Sequence, residues 1–386
     1  MRIMLYLLCL GMMLGGITQH VEGATLLGPR ATGMGGAMTA VVDDITCVYW
    51  NPAGLTRMKE IEICPIIGIH LFDQVHETLE EIYDYVEKNK GTLSDAHIDY
   101  LKPRVKKLEG KGVVGDANIS FLIGGRSFGV NWAVSSIGLI KFGAKNVTID
   151  LEDARLSPDT FKNNTSTFKL QGSGVNNIAV TYAERLKFLP LSLGVNLKYI
   201  NGTLYNPSPL IVGSETSAES GTGWADRAEN REIDTGNTWG VDLGILYKIE
   251  GKGGNPLTLA LVVRNINSPK ISLEGGEIKL DPEATVGIAF NPFKPFLMAV
   301  DYDLTSDETI LGDSRRISFG LECNLLKKIL SLRAGAFKDL GLDDSNLVYS
   351  AGFGVRIPIL LALDVGGAYD LKERELAASG RITFHF

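Results

Sequence analysis

The chain has 386 residues, 45% of them hydrophobic and 22% charged, with a formal net charge of −7. A mean hydropathy of +0.08 is too low for a bundle of membrane helices, and no basic run offers a nucleic-acid footprint. The composition suits a chain in which apolar and polar residues alternate, as in a transmembrane barrel with a lipid-facing outer wall and a polar lumen.

The first residues read as a secretory signal peptide. Met1-Arg2 is a short cationic start, residues 3–16 form an apolar run, and Val21 and Gly23 are small enough for the cleavage subsites, which places cleavage after Gly23. A spanning helix needs roughly 20 apolar residues, and this run is shorter. Cys9 lies inside the run behind Leu8, where a lipoprotein signal would need a small residue.

Residues 28–55 read GPRATGMGGAMTAVVDDITCVYWNPAGL. A phosphate loop would need a strand before the glycines, a helix after them and a closing Lys-Ser or Lys-Thr pair. None of these is present. The glycines suit backbone that must pack closely in confined space. Pro52 supplies a rigid turn, and Asn51 can bond the local backbone.

From Ile61 onward the dominant signal is alternation. Leu191, Leu193, Val195, Leu197 and Tyr199 share one strand face, with Ser192, Gly194, Asn196 and Lys198 on the other. Trp239, Val241, Leu243, Ile245 and Tyr247 repeat the pattern, as do Leu361, Leu363, Val365 and Tyr369. The polar faces carry mainly small residues with isolated charges, unlike the charged outside of a secreted sandwich. Short and long connections alternate, as in outer-membrane barrels. The rhythm predicts about 14 antiparallel strands, near 60–71, 113–123, 128–142, 169–187, 191–204, 235–249, 256–267, 277–290, 296–304, 315–323, 329–338, 346–356, 359–370 and 374–386. Long loops are expected at 73–110, 143–167, 206–236 and 305–315.

One insertion breaks the rhythm. In residues 73–110, Val75, Leu79, Ile82, Tyr83 and Val86 recur at helical spacing, Gly91 ends that helix, and Ser94-Asp95 caps a second with Ile98, Leu101, Val105 and Leu108. The predicted hairpin lies on the long-loop side, as a cover or a ligand collector. The chain then ends on Ile382, Phe384 and Phe386, one face of a last strand that stops on an aromatic. That pattern resembles the C-terminal signature of bacterial outer-membrane proteins, read by their assembly machinery.

Beyond Cys9, the cysteines are Cys47, Cys64 and Cys323, an odd number with no C-x-x-C spacing. A Cys47–Cys64 bridge is compatible with an oxidising compartment. No histidine belongs to a metalloprotease motif and no serine to a nucleophile elbow. The expectation is therefore no enzyme, no metal and no cofactor.

The combination Gly28-x-Arg30-Ala31-x-Gly33-Met34-Gly35-Gly36-Ala37, Asp43-Asp44 and Asn51-Pro52-Ala53-Gly54-Leu55 resembles the N-terminal region of the FadL-type outer-membrane superfamily. That superfamily holds long-chain fatty-acid and toluene/xylene transporters, PorV/PorQ-like proteins linked to type IX secretion, and the TraF-like and UPF0164 groups, and this form of the motif resembles the latter groups more than the classical transporters. The resemblance implies an N-terminal hatch, or plug, inside the barrel. Arg30, Gly33, Gly35, Gly36, Asp43, Asp44, Asn51, Pro52 and Ala53 would belong to it, with Arg30 and the aspartates facing lumen charges such as Arg333, Arg356 or Arg381. The expected organisation is a signal peptide over 1–23, a hatch over 24–59 and a barrel over 60–386. The implied localisation is the bacterial outer membrane, with membrane lipid as surroundings. The implied function is a channel for hydrophobic molecules such as long-chain fatty acids, by ligand capture and hatch movement. The alternative is a barrel that transports nothing and serves a secretion (PorV-like) or conjugation (TraF-like) system through a protein partner.

Overall fold

The computed structural model describes residues 26–89, 95–109, 111–127, 129–148, 167–205, 210–211, 234–251, 255–273, 276–309, 312–342, 345–357, 360–372 and 375–386. The signal-peptide expectation for 1–23 and the interior of the long loops at 149–166 and 212–233 lie outside these residues.

Fourteen strands form one closed antiparallel barrel. They are β1 (Glu62–Asp73), β2 (Gly112–Ser127), β3 (Val130–Thr148), β4 (Thr167–Arg185), β5 (Leu191–Tyr205), β6 (Asp234–Ile249) and β7 (Leu257–Arg264), followed by β8 (Glu283–Phe290), β9 (Phe296–Asp303), β10 (Arg316–Leu325), β11 (Leu330–Asp339), β12 (Val348–Ile357), β13 (Leu361–Asp370) and β14 (Glu375–His385). Each strand pairs with its neighbour in sequence, and β14 closes on β1 from Glu62↔His385 to Phe72↔Glu375. Closure leaves no free edge.

The burial pattern is inverted relative to a water-soluble sheet. Ile119 is 70% exposed and Val180 58%, while their neighbours Asn118 and Thr181 are buried. Apolar residues point outward and polar residues inward, so the solvent of the outer wall is hydrocarbon. Tyr182, Tyr247 and Phe296 are exposed towards the short-turn end, and Trp239, Tyr349 and Tyr369 towards the long-loop end. Two aromatic levels of this kind mark the interfaces of a bilayer. No described helix is long and apolar enough to cross a membrane, and the strands do the crossing.

The insertion after β1 forms two helices, α3 (His76–Lys88) and α4 (Asp95–Lys106). They lie against each other through Tyr85 stacked on Tyr100 at 3.9 Å and an Arg104–Glu81 ion pair at 2.5 Å.

Two expectations need correction. The strand expected over 277–290 is two elements. Gly276–Lys279 pairs with Lys270–Leu273 in a small hairpin, and the barrel strand begins only at Glu283. Pro282, which has no N–H to give a ladder, separates them. Ile271 and Ile278 turn this hairpin into the barrel mouth, packing against Val175, Ile200 and Leu280. The third strand runs to Thr148 instead of ending near 142, because β4 continues to pair with it. Cys47, Cys64 and Cys323 are all free thiols. Cys64 Sγ accepts a hydrogen bond from Thr383 Oγ1 at 3.3 Å.

Candidate functional site

Residues 26–58 precede the first strand and fill the barrel as a plug. Their helices are single turns: α1 (Pro29–Gly33), α2 (Cys47–Trp50) and a 3-10 turn over Pro52–Arg57. Proline opens both α1 and the 3-10 turn, where its missing N–H costs no bond. Gly35 and Gly36 follow α1 at φ +60° and +85°, a reversal that other residues resist. Leu27, Met34, Met38, Val42, Ile45 and Leu55 are fully buried. Trp50 Nε1 donates to Leu27 O at 3.0 Å and ties the plug's end to its beginning.

Asn51 holds the plug's second half together. Its Oδ1 accepts from Ala53 N at 3.1 Å, and its Nδ2 donates to Thr39 O at 3.1 Å and to Ile245 O on β6 at 3.2 Å. Pro52 lies against Gly244 so closely that a Cβ on that glycine would sit 2.2 Å from Asn51 Oδ1. Ala53 lies over Gly194 of β5 in the same way.

One flank of the plug is bolted by charge. Arg30 is 6% exposed. Its Nε and Nη2 donate to Glu322 of β10 at 2.8 and 3.0 Å, and its Nη1 reaches Asp43 at 2.6 Å and Asp44 at 3.3 Å. Glu322 also accepts from Arg333 of β11 at 2.8 Å. Arg333 donates to Asp364 of β13 at 2.6 Å. Asp364 accepts from Arg381 of β14 at 2.9 Å. Arg381 pairs with Asp44 at 3.1 Å, and Asp44 returns to Arg30. The result is a closed ring of alternating guanidinium and carboxylate groups, two members from the plug and four from the wall. Every charge in it has two opposite neighbours, the condition under which buried ions are tolerable. Burial pushes the Asp44 carboxyl up, but Arg381 and Arg30 overcome that and hold it well below the usual carboxylate range. Burial also opposes the Arg30 charge, and Glu322, Asp43 and Asp44 more than compensate. On the same flank the wall is glycine. A Cβ at Gly335 would fall 2.4 Å from the Met34 carbonyl carbon, and one at Gly366 2.3 Å from Pro29 O.

The wall next to it, across the β14–β1 seam, is apolar. Ile66 of β1, Leu122 of β2 and Ala133, Ile137 and Leu139 of β3 join the plug's buried cluster, and no residue of β10–β14 does. Leu139 is the register partner of Val175 on β4. Val175 belongs to the mouth cluster with Ile271 and Ile278. Apolar side chains therefore run from the mouth down this flank. Among them the hydroxyls of Ser120 and Ser135 and the carboxamide oxygens of Asn118 and Asn177 are buried with no hydrogen-bond partner among the described residues.

Further bonds fix the plug around the circumference. Asp301 Oδ2 of β9 accepts from Met38 N and Thr39 N at 2.8 and 2.7 Å. Glu62 accepts from Ile45 N at 2.9 Å, Asn196 donates to Val48 O at 2.7 Å, and Arg264 donates to Tyr49 O at 3.1 Å. Cavities lined by the described residues include small ones and a charged one. A cavity of about 340 Å³ at the short-turn end is lined by groups such as Arg30, Asp44, Lys59, Lys328 and Arg381. Three others measure about 20–30 Å³.

Of the lumen cations singled out in the sequence, Arg381 meets Asp44 directly. Arg333 reaches the plug only through Glu322. Arg356 pairs instead with Glu60 at 2.6 Å, outside the ring. Ile382, Phe384 and Phe386 face outward on β14, and Phe386 exchanges backbone hydrogen bonds with Ile61 at 2.9 and 3.1 Å. Sequence reasoning missed Glu322, Asp364 and Asp301, inward carboxylates that read simply as polar strand positions. It also missed His70, which bonds Asp116 at 3.1 Å and Glu375 at 2.7 Å and ties β1 to both its neighbours. Among the described residues, no group of three or more His, Cys, Asp or Glu is placed to hold a metal ion.

A family model described as "F plasmid transfer operon, TraF, protein" matches residues 48–303. Comparison with curated protein sequences returned no match. Among solved structures, the Ralstonia pickettii toluene transporter TbuX superposes with a TM-score of 0.54 at 12% identity, covering 93% of this chain and 98% of that one. The P. putida toluene transporter TodX gives 0.53 at 11% identity, over 93% and 98%. A Pseudomonas aeruginosa FadL homologue gives 0.51 at 9% identity, over 96% and 100%. At these identities the likeness is one of fold: a plugged barrel of the FadL type.

Proposed function

The chain belongs to the family described as "F plasmid transfer operon, TraF, protein", and for this member we propose a gated outer-membrane passage for hydrophobic molecules such as long-chain fatty acids. The observation that carries this reading is the two-sided seat of the plug. An apolar solute entering between the plug and β2–β3 replaces contacts of the same kind with Leu122 and Ile137, away from the Glu62 bond to Ile45 on β1. The ring on the adjoining β10–β14 wall keeps the plug attached as a hinge meanwhile. The mouth cluster around Ile271 and Ile278 gives a first apolar contact, linked to the flank through Val175 and Leu139. The unpartnered oxygens of Ser120, Ser135 and Asn177 offer hydrogen bonds to the polar head of an amphiphile or to its water. The fold shared with two toluene transporters supports the same reading.

The test is uptake of labelled oleate by a deletion strain carrying the wild-type chain or one with a disulfide engineered across the plug and the β2–β3 wall. Wild type restores uptake, the oxidised lock blocks it, and reduction releases it. Equal uptake in the deletion strain and the restored strain would overturn the proposal.

A second reading rests on a separate observation. With the plug seated, a cavity of about 340 Å³ at the short-turn end is charged, and the family name concerns plasmid transfer. An accessory barrel of a conjugation or secretion system fits those facts. Loss of plasmid transfer on deletion, with oleate uptake unchanged, selects it.

A further inference from the structure

The short-turn end of the barrel is basic although the chain as a whole carries a net charge of −7. Each short turn between strands holds a lysine or arginine in it or beside it: Arg126 between β2 and β3, Arg185 and Lys187 between β4 and β5, Lys248, Lys294, Lys327 with Lys328, and Arg356. The acids at this end are few. Glu60 pairs with Arg356 and Glu250 with Lys248, each at 2.6 Å, Asp43 lies 3.7 Å from Lys328, and Glu184 is exposed next to Arg185. Lys59, Arg126, Arg185, Lys187, Lys294 and Lys327 are exposed and have no acidic partner among the described residues.

Large apolar side chains stand beside these cations. Phe188, next to Lys187, is 95% exposed, Leu326, next to Lys327, is 69% exposed, and Phe293, next to Lys294, is exposed as well. In the β10–β11 turn, Leu326, Lys327 and Lys328 take φ values of 49°, 58° and 71°. Three consecutive left-handed residues, none of them glycine, are an unfavourable way to build a turn. This turn exposes Leu326 and Lys327, while Lys328 turns back to within 3.7 Å of Asp43.

We propose that this rim binds the anionic phospholipid headgroups of the leaflet it faces. The decisive point is distribution. The basic residues recur at every short turn around the circumference, three of them beside an exposed Phe or Leu, at the level where the apolar outer wall ends. An acidic protein would meet one sector of such a ring; a lipid leaflet surrounds all of it. Phe188, Phe293 and Leu326 enter the acyl boundary, while the lysine and arginine heads extend to the phosphate level. Attraction of basic groups to an anionic surface decays within a Debye length, so the interaction is salt-sensitive. The inference rests on the chain being a membrane barrel and not on what crosses it, so its failure would leave the transport proposal standing.

The experiment compares the full chain in nanodiscs of phosphatidylethanolamine alone and of phosphatidylethanolamine with phosphatidylglycerol, reading the midpoint of heat unfolding by gel mobility. The wild type gains several degrees from phosphatidylglycerol at low salt and loses that gain in about 1 M NaCl, where the screening length is ~3 Å. The triple reversal K187E/K294E/K327E, whose residues touch neither the plug nor the ring, shows no gain. If the reversal does not fold, K187Q/K294Q/K327Q takes its place and shows a reduced gain. A wild type indifferent to phosphatidylglycerol at low salt, or a variant that responds as fully as wild type, overturns the proposal. An acidic periplasmic protein captured through the rim, with no lipid response, overturns it equally.

Discussion

Replacing Arg30 with methionine tests the bolted flank. The change removes one of two guanidinium partners from Glu322, which keeps Arg333 at 2.8 Å, and one of two from Asp44, which keeps Arg381 at 3.1 Å. Breaking a buried ion pair by deleting one partner costs roughly 3–5 kcal/mol. Asp43, the third partner, is 38% exposed and keeps Lys328 at 3.7 Å; because no carboxylate is left alone, the lower end applies, about 3 kcal/mol. At 1.36 kcal/mol per factor of ten, the ratio of unseated to seated plug rises ~100-fold. Cys47 reports that ratio. It is fully buried in the plug, and burial pushes its thiol well above the ordinary range, so it reacts only when the plug leaves its seat. With Cys64→Ser and Cys323→Ser in the background, Cys47 is the only thiol of residues 26–386. Maleimide labelling of Arg30→Met should then run ~100-fold faster than in the Arg30 protein, on a barrel whose gel mobility is unchanged. A rate within ~3-fold, or about 0.7 kcal/mol, refutes the idea that the ring holds the plug.

Other outcomes follow from the same seat. Because the folded Asp44 pKa is depressed, its contribution is complete above the unfolded value of about 4 and is lost as pH falls towards the folded one. Current noise in planar bilayers should therefore stay low from neutral pH down to about 4 and rise below it; noise that rises first on the alkaline side contradicts this. Gly335→Ala puts a Cβ against the Met34 backbone and should cost about 1–3 kcal/mol or more in unfolding free energy. Gly380→Ala meets nothing within 4 Å and is the control, so equal effects of the two would dismiss close approach as the cause. Asn51→Ala removes three hydrogen bonds, at about 0.5–1.5 kcal/mol each. It should speed Cys47 labelling well beyond ~10-fold, and a change below twofold would deny Asn51 its part in the plug.

Much of the barrel is legible in the sequence, because a lipid-facing strand must alternate and the alternation is local. The pairs Asn196–Leu197 and Asp364–Val365 show their faces without any tertiary information. The strand expected at 277–290 misleads for the same reason. Ile278 alternates correctly, but Pro282 and the glycines at 202 and 236, far away in sequence, send it into the mouth. The glycine-rich stretch is recognisable as confined backbone, yet its seat is not. Gly335, Gly352 and Gly366 look like ordinary strand glycines until Gly33 and Met34 are placed against them. The ring is the least legible feature. Each of its acids stands at an inward strand position that any polar residue could fill, and only three-dimensional closure shows which cation meets which acid.

That ring also orders the protein's own assembly. Arg30 stands 292 residues before Glu322, and Asp44 stands 337 before Arg381. The earliest part of the plug therefore has no counter-charges until the last strands exist, and the circuit cannot close until β14 has found β1. Contacts of such separation form late, since the loop entropy must be spent first. A chain that stops short of β14 would leave Asp44 without Arg381 and Asp364 with a single partner inside an open wall. Seating of the plug thus serves as proofreading: it rewards only the barrel whose final strand is in register.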